Sequence, residues 1–267
     1  MSAALAYEWR RLTTLRSTYW LVAIGAILVF GLAVLIALAI GSSGDISEGN
    51  DFVLGAIATQ GAAIGVTPLL VAYVMGLMGV FCFGHEYRHG MIRATLTAVP
   101  SRTRVFAAKT IVTGLTAFVV GGLTTLVGVV VGLAVVSELQ PDSEVIRELV
   151  LGTAVYTGLF SLVGLALASI FRNQVAALIA VLLVPLVLES VIRAVLVVPP
   201  AFDEFQGLAR YLPFDAGGQM FVQLAFADAL DIFGYEPLDA VGGGITFAVF
   251  TAALLAAACA LFVVRDA

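Results

Sequence analysis

Six long apolar runs constrain this chain more than any other feature: Trp20–Ile40, Gly61–Phe83, Ile111–Val136, Leu149–Phe171, Val175–Val198 and Val241–Val264. Each supplies the roughly 20 residues a helix needs to cross ~30 Å of hydrocarbon. Membrane strands would show ~10 residues of alternating polarity, and these runs do not alternate. Hydrophobic residues make up 61% of the 267 and charged residues 12%, against about 45–50% and about 25% in a soluble domain. No soluble core encloses that much apolar surface, so the bilayer is part of the solvent. The fold expected is all-α and integral to the membrane, a single domain over 1–267 with six transmembrane helices. A soluble enzyme, a nucleic-acid-binding domain and a disordered linker are excluded. Cys82 and Cys259 sit in apolar runs and imply no disulfide framework.

Orientation follows from Lys and Arg in the short flanking loops. Arg10, Arg11, Arg16, Arg88, Arg93, Arg102, Arg104, Lys109, Arg172 and Arg265 fall on one side of the six spans. Only Arg147, Arg193 and Arg210 remain for the other. Of the 18 acids, Glu8, Glu86 and Asp266 lie on the basic side and the rest face or approach the opposite one. Both termini are therefore expected in the cytoplasm, with the chain in the plasma (inner) membrane. The first run has a basic start and an Ala37-Leu38-Ala39 end, like a signal peptide. Its apolar core exceeds the usual 7–15 residues, so a retained anchor is expected.

Residues 2–19 read as an amphipathic interfacial helix. Leu5, Trp9, Leu12, Leu15 and Tyr19 form one stripe beside Arg10 and Arg11, a pattern suited to a helix lying in the inner interface. The inner loop 84–110 is basic, and Met91–Val99 can form a short helix that Pro100 ends. Ser101 suits the N-cap of the third span. The outer segment 199–240 holds seven acids, one base and eight aromatics; short helices at or dipping into the outer interface are expected there. Asp45, Glu48 and Asp51 make another acidic outer loop.

His85-Glu86-Tyr87-Arg88-His89 is a literal H-E-x-x-H. On a helix it sets two imidazoles on one face for zinc, with the Glu as general base. A catalytic zinc needs a third protein ligand, and the only downstream acid on that side is Asp266. No metal is expected. Nucleotide binding fails on the residues: Lys109-Thr110 is preceded by Ala108 and by Thr103 where a P-loop needs Gly. Glu189 and Arg193, four apart in the fifth run, can pair on one helix face, and ionisable residues in a span are functional candidates. Gly61-x-x-x-Gly65 and Gly128-x-x-x-Gly132 permit close helix approach. Pro68 and Pro185 should bend their spans.

The inner loop carries a resemblance. Glu86-Tyr87-Arg88-His89-Gly90-Met91-Ile92-Arg93-Ala94-Thr95-Leu96, then Val99-Pro100-Ser101-Arg102 and Lys109, resembles the permease subunit of type-2 ATP-binding-cassette (ABC) exporters. Glu8-Trp9-Arg10-Arg11-Leu12 through Trp20 is similar to that family's elbow helix, and Tyr211-Leu212-Pro213-Phe214 to part of its last outer segment. The resemblance implies a permease without ATPase motifs of its own. It would work beside a second copy or a related permease and a separate ATPase subunit, where ATP and Mg would bind. It implies that Met91–Val99 is the coupling helix, with Glu86, Arg88, Met91, Ile92, Arg93, Leu96, Arg102 and Arg104 in the coupling loop. Ile92 and Leu96 are then expected as apolar anchors on the ATPase. Membrane lipid is a further partner; nucleic acid is not. Two other readings stay open: an intramembrane zinc protease at His85, Glu86 and His89, and a secondary transporter that needs no ATPase.

Overall fold

A computed structural model describes residues 2–14, 16–43, 49–64, 67–98, 101–137, 139–221 and 237–265. Every regular element among them is helical: α1 (Ser2–Thr14), α2 (Arg16–Ser43), α3 (Asn50–Ala58), α4 (Leu70–Arg88), α5 (Ile92–Ala98), α6 (Arg102–Val135), α7 (Ser143–Phe171), α8 (Gln174–Leu183), α9 (Glu189–Val197), α10 (Pro213–Gly218) and α11 (Ala240–Val264). Helices satisfy every backbone group within one segment, which is what lipid demands. Among the described residues, six helical stretches are long and apolar enough to cross a membrane: Thr18–Ser42, Leu70–Arg88, Arg102–Val135, Ser143–Phe171, Gln174–Val197 and Ala240–Val264. The chain is thus a multi-pass, all-helical membrane protein, as its apolar runs required.

The helices α4 and α7 form the centre. Of their most apolar stretches 61% and 67% is buried, against 22% for α2, for α8–α9 and for α11. Small residues make the close approach possible. At Gly79 of α4 a Cβ would meet the backbone carbonyl of Ser161 on α7, and at Gly164 of α7 it would meet that of Gly76 on α4. Side chains there would force the two helices apart. Around this pair lie the buried rings of Phe83, Phe160 and Phe247.

The second span departs from its sequence reading. Gly61–Leu69 does not continue into α4. Gln60 and Gly61 take positive φ, 54° and 90°, and turn the chain between α3 and a short 3-10 helix at Ala62–Ile64. Gly61, Ala62, Ala63 and Leu69 are buried, and Pro68 precedes α4 instead of bending it. Gly65 lies outside the described residues. Gly128 does allow close approach: a Cβ there would stand 2.7 Å from the Ala58 backbone of α3.

Three boundaries are set by side-chain caps. Asp142 accepts the Glu144 N–H at 3.0 Å, Asp239 the Gly242 N–H at 3.1 Å, and Asn173 the N–H groups of Val175 and Ala176 at 2.9 and 3.2 Å. Such caps replace missing intrahelical acceptors. Ser101 occupies the N-cap position of α6 but makes no capping bond to the backbone. The acidic outer segment stays largely exposed over residues 202–211 and turns inward only at α10. Pro200–Tyr211 is a 3-10 helix, and α10 then buries Phe214, Ala216 and Gly217. Its remaining aromatics, Phe226, Phe233 and Tyr235, lie outside the described residues, as do Leu15, Asp45, Glu48, Val99, Pro100 and Asp266.

Candidate functional site

The basic end of the bundle holds a buried charge cluster. In α1 the face turned into the protein carries Ala4 and Glu8, with Arg11 and Leu12 partly covered. Trp9 of the apolar stripe is 55% exposed, so this helix presents charge to the protein and an aromatic outward. The last turns of α4 contribute Cys82 and Glu86, and the first turns of α6 contribute Lys109. At 34 residues α6 extends ~51 Å, longer than a bilayer core, so Lys109 lies inside the helix and not in a loop before it.

Both cations converge on one oxygen of Glu86. Its Oε1 lies 2.6 Å from Lys109 Nζ and 2.9 Å from Arg11. Glu8 closes the ring, 2.8 Å from Lys109 and 3.1 Å from Arg11. Arg11 also donates to the Cys82 carbonyl at 2.8 Å, near the C-terminus of α4. Lys109 stands 5.2 Å from the Phe83 ring centroid. Lys109 is fully buried, and Glu86 and Glu8 nearly so, at 0%, 1% and 3% exposure. Two acids and two bases balance, which is the condition under which buried charge is tolerated. Burial pulls the Arg11 guanidinium down, but the negative charge of Glu86 and Glu8 outweighs it and holds the group above its ordinary value. The quartet fastens α1, α4 and α6 together at the point where α4 leaves for the loop.

From there the chain turns sharply. Gly90 takes φ 66°, and Met91 N–H donates to the Glu86 carbonyl at 2.9 Å. Helix α5 follows directly. Ile92 is buried at 6% and Thr95 at 5%, while Leu96 is half-buried against the same core. Ile92 therefore packs into the core of its own chain, with Leu96 partly covered beside it. The exposed face of α5 carries Arg93, Ala94 and Thr97, and Met91 beside it is 46% exposed. Arg88 and Arg104 are exposed as well.

On the far side of α5, Arg102 is a clamp within the chain. It donates to the carbonyls of Phe262 at 3.2 Å and Val263 at 3.4 Å, and also to that of Arg265. Arg265 in turn donates to the Ile170 carbonyl of α7 at 3.0 Å. Cations at helix C-termini satisfy unpaired carbonyls and suit the helix dipole. The C-termini of α11 and α7 are thus tied to the start of α6.

The H-E-x-x-H residues do not assemble as that motif would need. Glu86 is held by Lys109 and Arg11. His85 stacks on Phe81 at 4.6 Å, and His89 Nδ1 lies 2.9 Å from the His85 carbonyl. Among the described residues no group of three or more His, Cys, Asp or Glu is placed to hold a metal ion.

At the opposite end, the expected Glu189–Arg193 pair is replaced. Arg193 pairs with Asp215 of α10 at 2.6 Å. Glu189 instead accepts the Phe214 N–H at 3.0 Å. Helix α10, packed against α11, supplies both competitors, and helix spacing alone could not foresee them. Burial pushes the Asp215 carboxyl up, and the pull of Arg193 only partly offsets it.

Sequence reasoning passed over Glu8, Asp215 and Arg265 as site residues and placed Lys109 outside a span. A usable signal existed for two of them. Glu8 sits three residues from Arg11 in a basic segment, and Lys109 is the sole lysine of the chain. Asp215 and Arg265 carry no local sign of their partners.

A protein-family model described as ABC-2 family transporter protein matches residues 55–263. A comparison with curated proteins returns no match.

Proposed function

Because this chain belongs to the ABC-2 family of transporters, we propose that this transmembrane transporter subunit is the permease of an ATP-driven exporter, forming the substrate path and drawing energy from a separate ATPase chain. ATP and Mg bind in that partner, and a second copy or a related permease completes the path. The termini and α5 face the cytoplasm, in keeping with the excess of Lys and Arg at that end.

One observation carries the coupling part of this reading. The short helix α5 is fixed on one side by the Glu8–Arg11–Glu86–Lys109 quartet and on the other by the Arg102 clamp. A push on α5 is passed to both flanking groups. Through Glu86 it reaches α1, α4 and α6, and through Arg102 it reaches α11 and then α7. Arg93 and Met91 offer a charged and an apolar contact to an ATPase, while Ile92 and Leu96 hold the helix on its own bundle.

The test is co-purification with the ATPase, plus substrate-linked hydrolysis in membranes. Met91→Asp combined with Arg93→Glu should release the partner or abolish coupled hydrolysis, with normal membrane insertion and melting temperature. Ile92→Asp should lower the melting temperature first. Full coupling in the Met91–Arg93 variant would refute docking at α5.

A further inference from the structure

We propose that Glu189 is a binding site for a single organic cation: its carboxylate takes an ammonium- or phosphonium-type head group, and the rings of Phe214, Phe160 and Tyr73 take the apolar part. The inference rests on the exporter reading and names a substrate class for the path.

The backbone aims Glu189 inward. In the span Gln174–Val197, the buried positions Ala177, Val181, Pro185 and Glu189 are each four residues apart. In a regular α-helix such a stripe would swing by about 40° at each step. A π turn over Val184–Leu188 corrects the drift, and the Glu189 N–H donates to the Val184 carbonyl five residues back. Leu186, Val187 and Leu188 remain exposed. Without the π turn, the only acid of this span would rotate toward their face. π turns inside α-helices recur at functional sites.

The carboxylate is only half satisfied. Oε1 accepts the Phe214 N–H at 3.0 Å, whereas Oε2 is buried with no hydrogen-bond partner. The residue is 3% exposed. Its nearest formal cation along the helix, Arg193, is engaged by Asp215 at 2.6 Å. Even with the backbone N–H groups of Phe214 and Asp215 directed at it, an ionised carboxylate without a paired cation is not sustained in apolar surroundings, so the resting acid carries its proton on Oε2. Among the described residues, the titratable groups around it are Tyr73 on α4, Tyr156 on α7, Asp215 on α10 and Arg193 on its own helix. None of them is a spare cation.

The surroundings select the class of ligand. Phe214 stacks edge-on to Phe160 at 5.4 Å, and Phe160 lies 4.8 Å from Tyr73. Aromatic faces beside one carboxylate suit a soft, weakly hydrated cation. A hard metal ion needs about six oxygen ligands, and this site offers one free oxygen. On binding, the Oε2–H bond breaks, the proton leaves to solvent, and carboxylate and cation form the ion pair. Charge at the site is conserved.

The experiment uses the full chain in nanodiscs without any ATPase, titrated calorimetrically with tetraphenylphosphonium in two buffers of different ionisation enthalpy, with empty nanodiscs subtracted. The expected result is one proton released per cation bound and affinity that rises with pH. Glu189→Gln keeps an oxygen for the Phe214 N–H and should bind at least about tenfold more weakly. No saturable binding, no proton release, or unchanged affinity in Glu189→Gln would overturn the proposal. Proton release in the parent decides the matter even if the variant misfolds. Loss of the cation site with ATPase coupling intact leaves the exporter reading standing, and failed coupling with cation binding intact does the reverse.

Discussion

The Lys109 ammonium lies 2.6 Å from Glu86 Oε1, on two different helices and with no exposure of the lysine to solvent. This contact ties the end of α4 to the start of α6 at the basic end of the bundle. Removing one member of a buried ion pair leaves its partner charged and unpaired, at a cost of about 3–5 kcal/mol. Lys109→Ala should therefore lower stability by about that amount in a denaturation series in detergent. The double variant Lys109→Met with Glu86→Gln should be less damaging than Lys109→Ala, because no lone charge remains. A Lys109→Ala chain as stable as the parent would remove the quartet from the account.

Arg102 acts through hydrogen bonds to the C-terminus of α11. Arg102→Ala should cost roughly 1 kcal/mol after allowing for solvent screening. It should also raise amide hydrogen exchange at residues 261–265 while leaving the first turn of α11 unchanged. Uniform protection along α11 in the variant would argue against the clamp.

Gly128 sits where a Cβ would come within 2.7 Å of the Ala58 backbone. Gly128→Val should push α3 from α6 and destabilise by about 1–3 kcal/mol, the usual range for overpacking. Gly31, which has nothing near its Cβ position, serves as the control. Equal effects at the two glycines would contradict the close approach.

The charge distribution predicts the side on which each end lies. In a chain with Cys82 and Cys259 replaced by Ala, single cysteines at Ser143 and Gln206 should react with an impermeant thiol reagent in intact cells. Cysteines at Ser101 and Asn173 should react only after lysis. Labelling at 101 from outside would reverse the orientation.

Burial raises the Asp215 carboxyl above its ordinary value despite Arg193. An acid with a raised folded value makes the folded state the tighter proton binder. Its stabilising contribution is full below the unfolded value and is lost as pH rises through the folded one. Arg193→Gln removes the downward pull and widens that window. The variant's melting temperature should fall more steeply than the parent's between acidic and neutral pH. Parallel curves would show that the ion pair does not set this titration.

Six spans and one basic end were legible in the residues because hydropathy and loop charge are properties of the chain read in one dimension. An apolar run of sufficient length has to become a helix in lipid wherever its neighbours lie. The identity of each charge's partner was not legible. Spacing proposed Glu189 with Arg193, yet Asp215 arrives from another element and takes the arginine. The resemblance offered Ile92 and Leu96 to a partner, and what it could not tell is that Ile92 lies in the core of its own chain with Leu96 packed against it. Glu8 and Lys109 meet at 2.8 Å across about a hundred residues of chain, and no local pattern marks them as a pair. Helix formation needs only a segment's own backbone and the solvent around it. Buried ion pairs need the register between helices, which packing at positions such as Gly79 and Gly164 sets only when the chain is assembled.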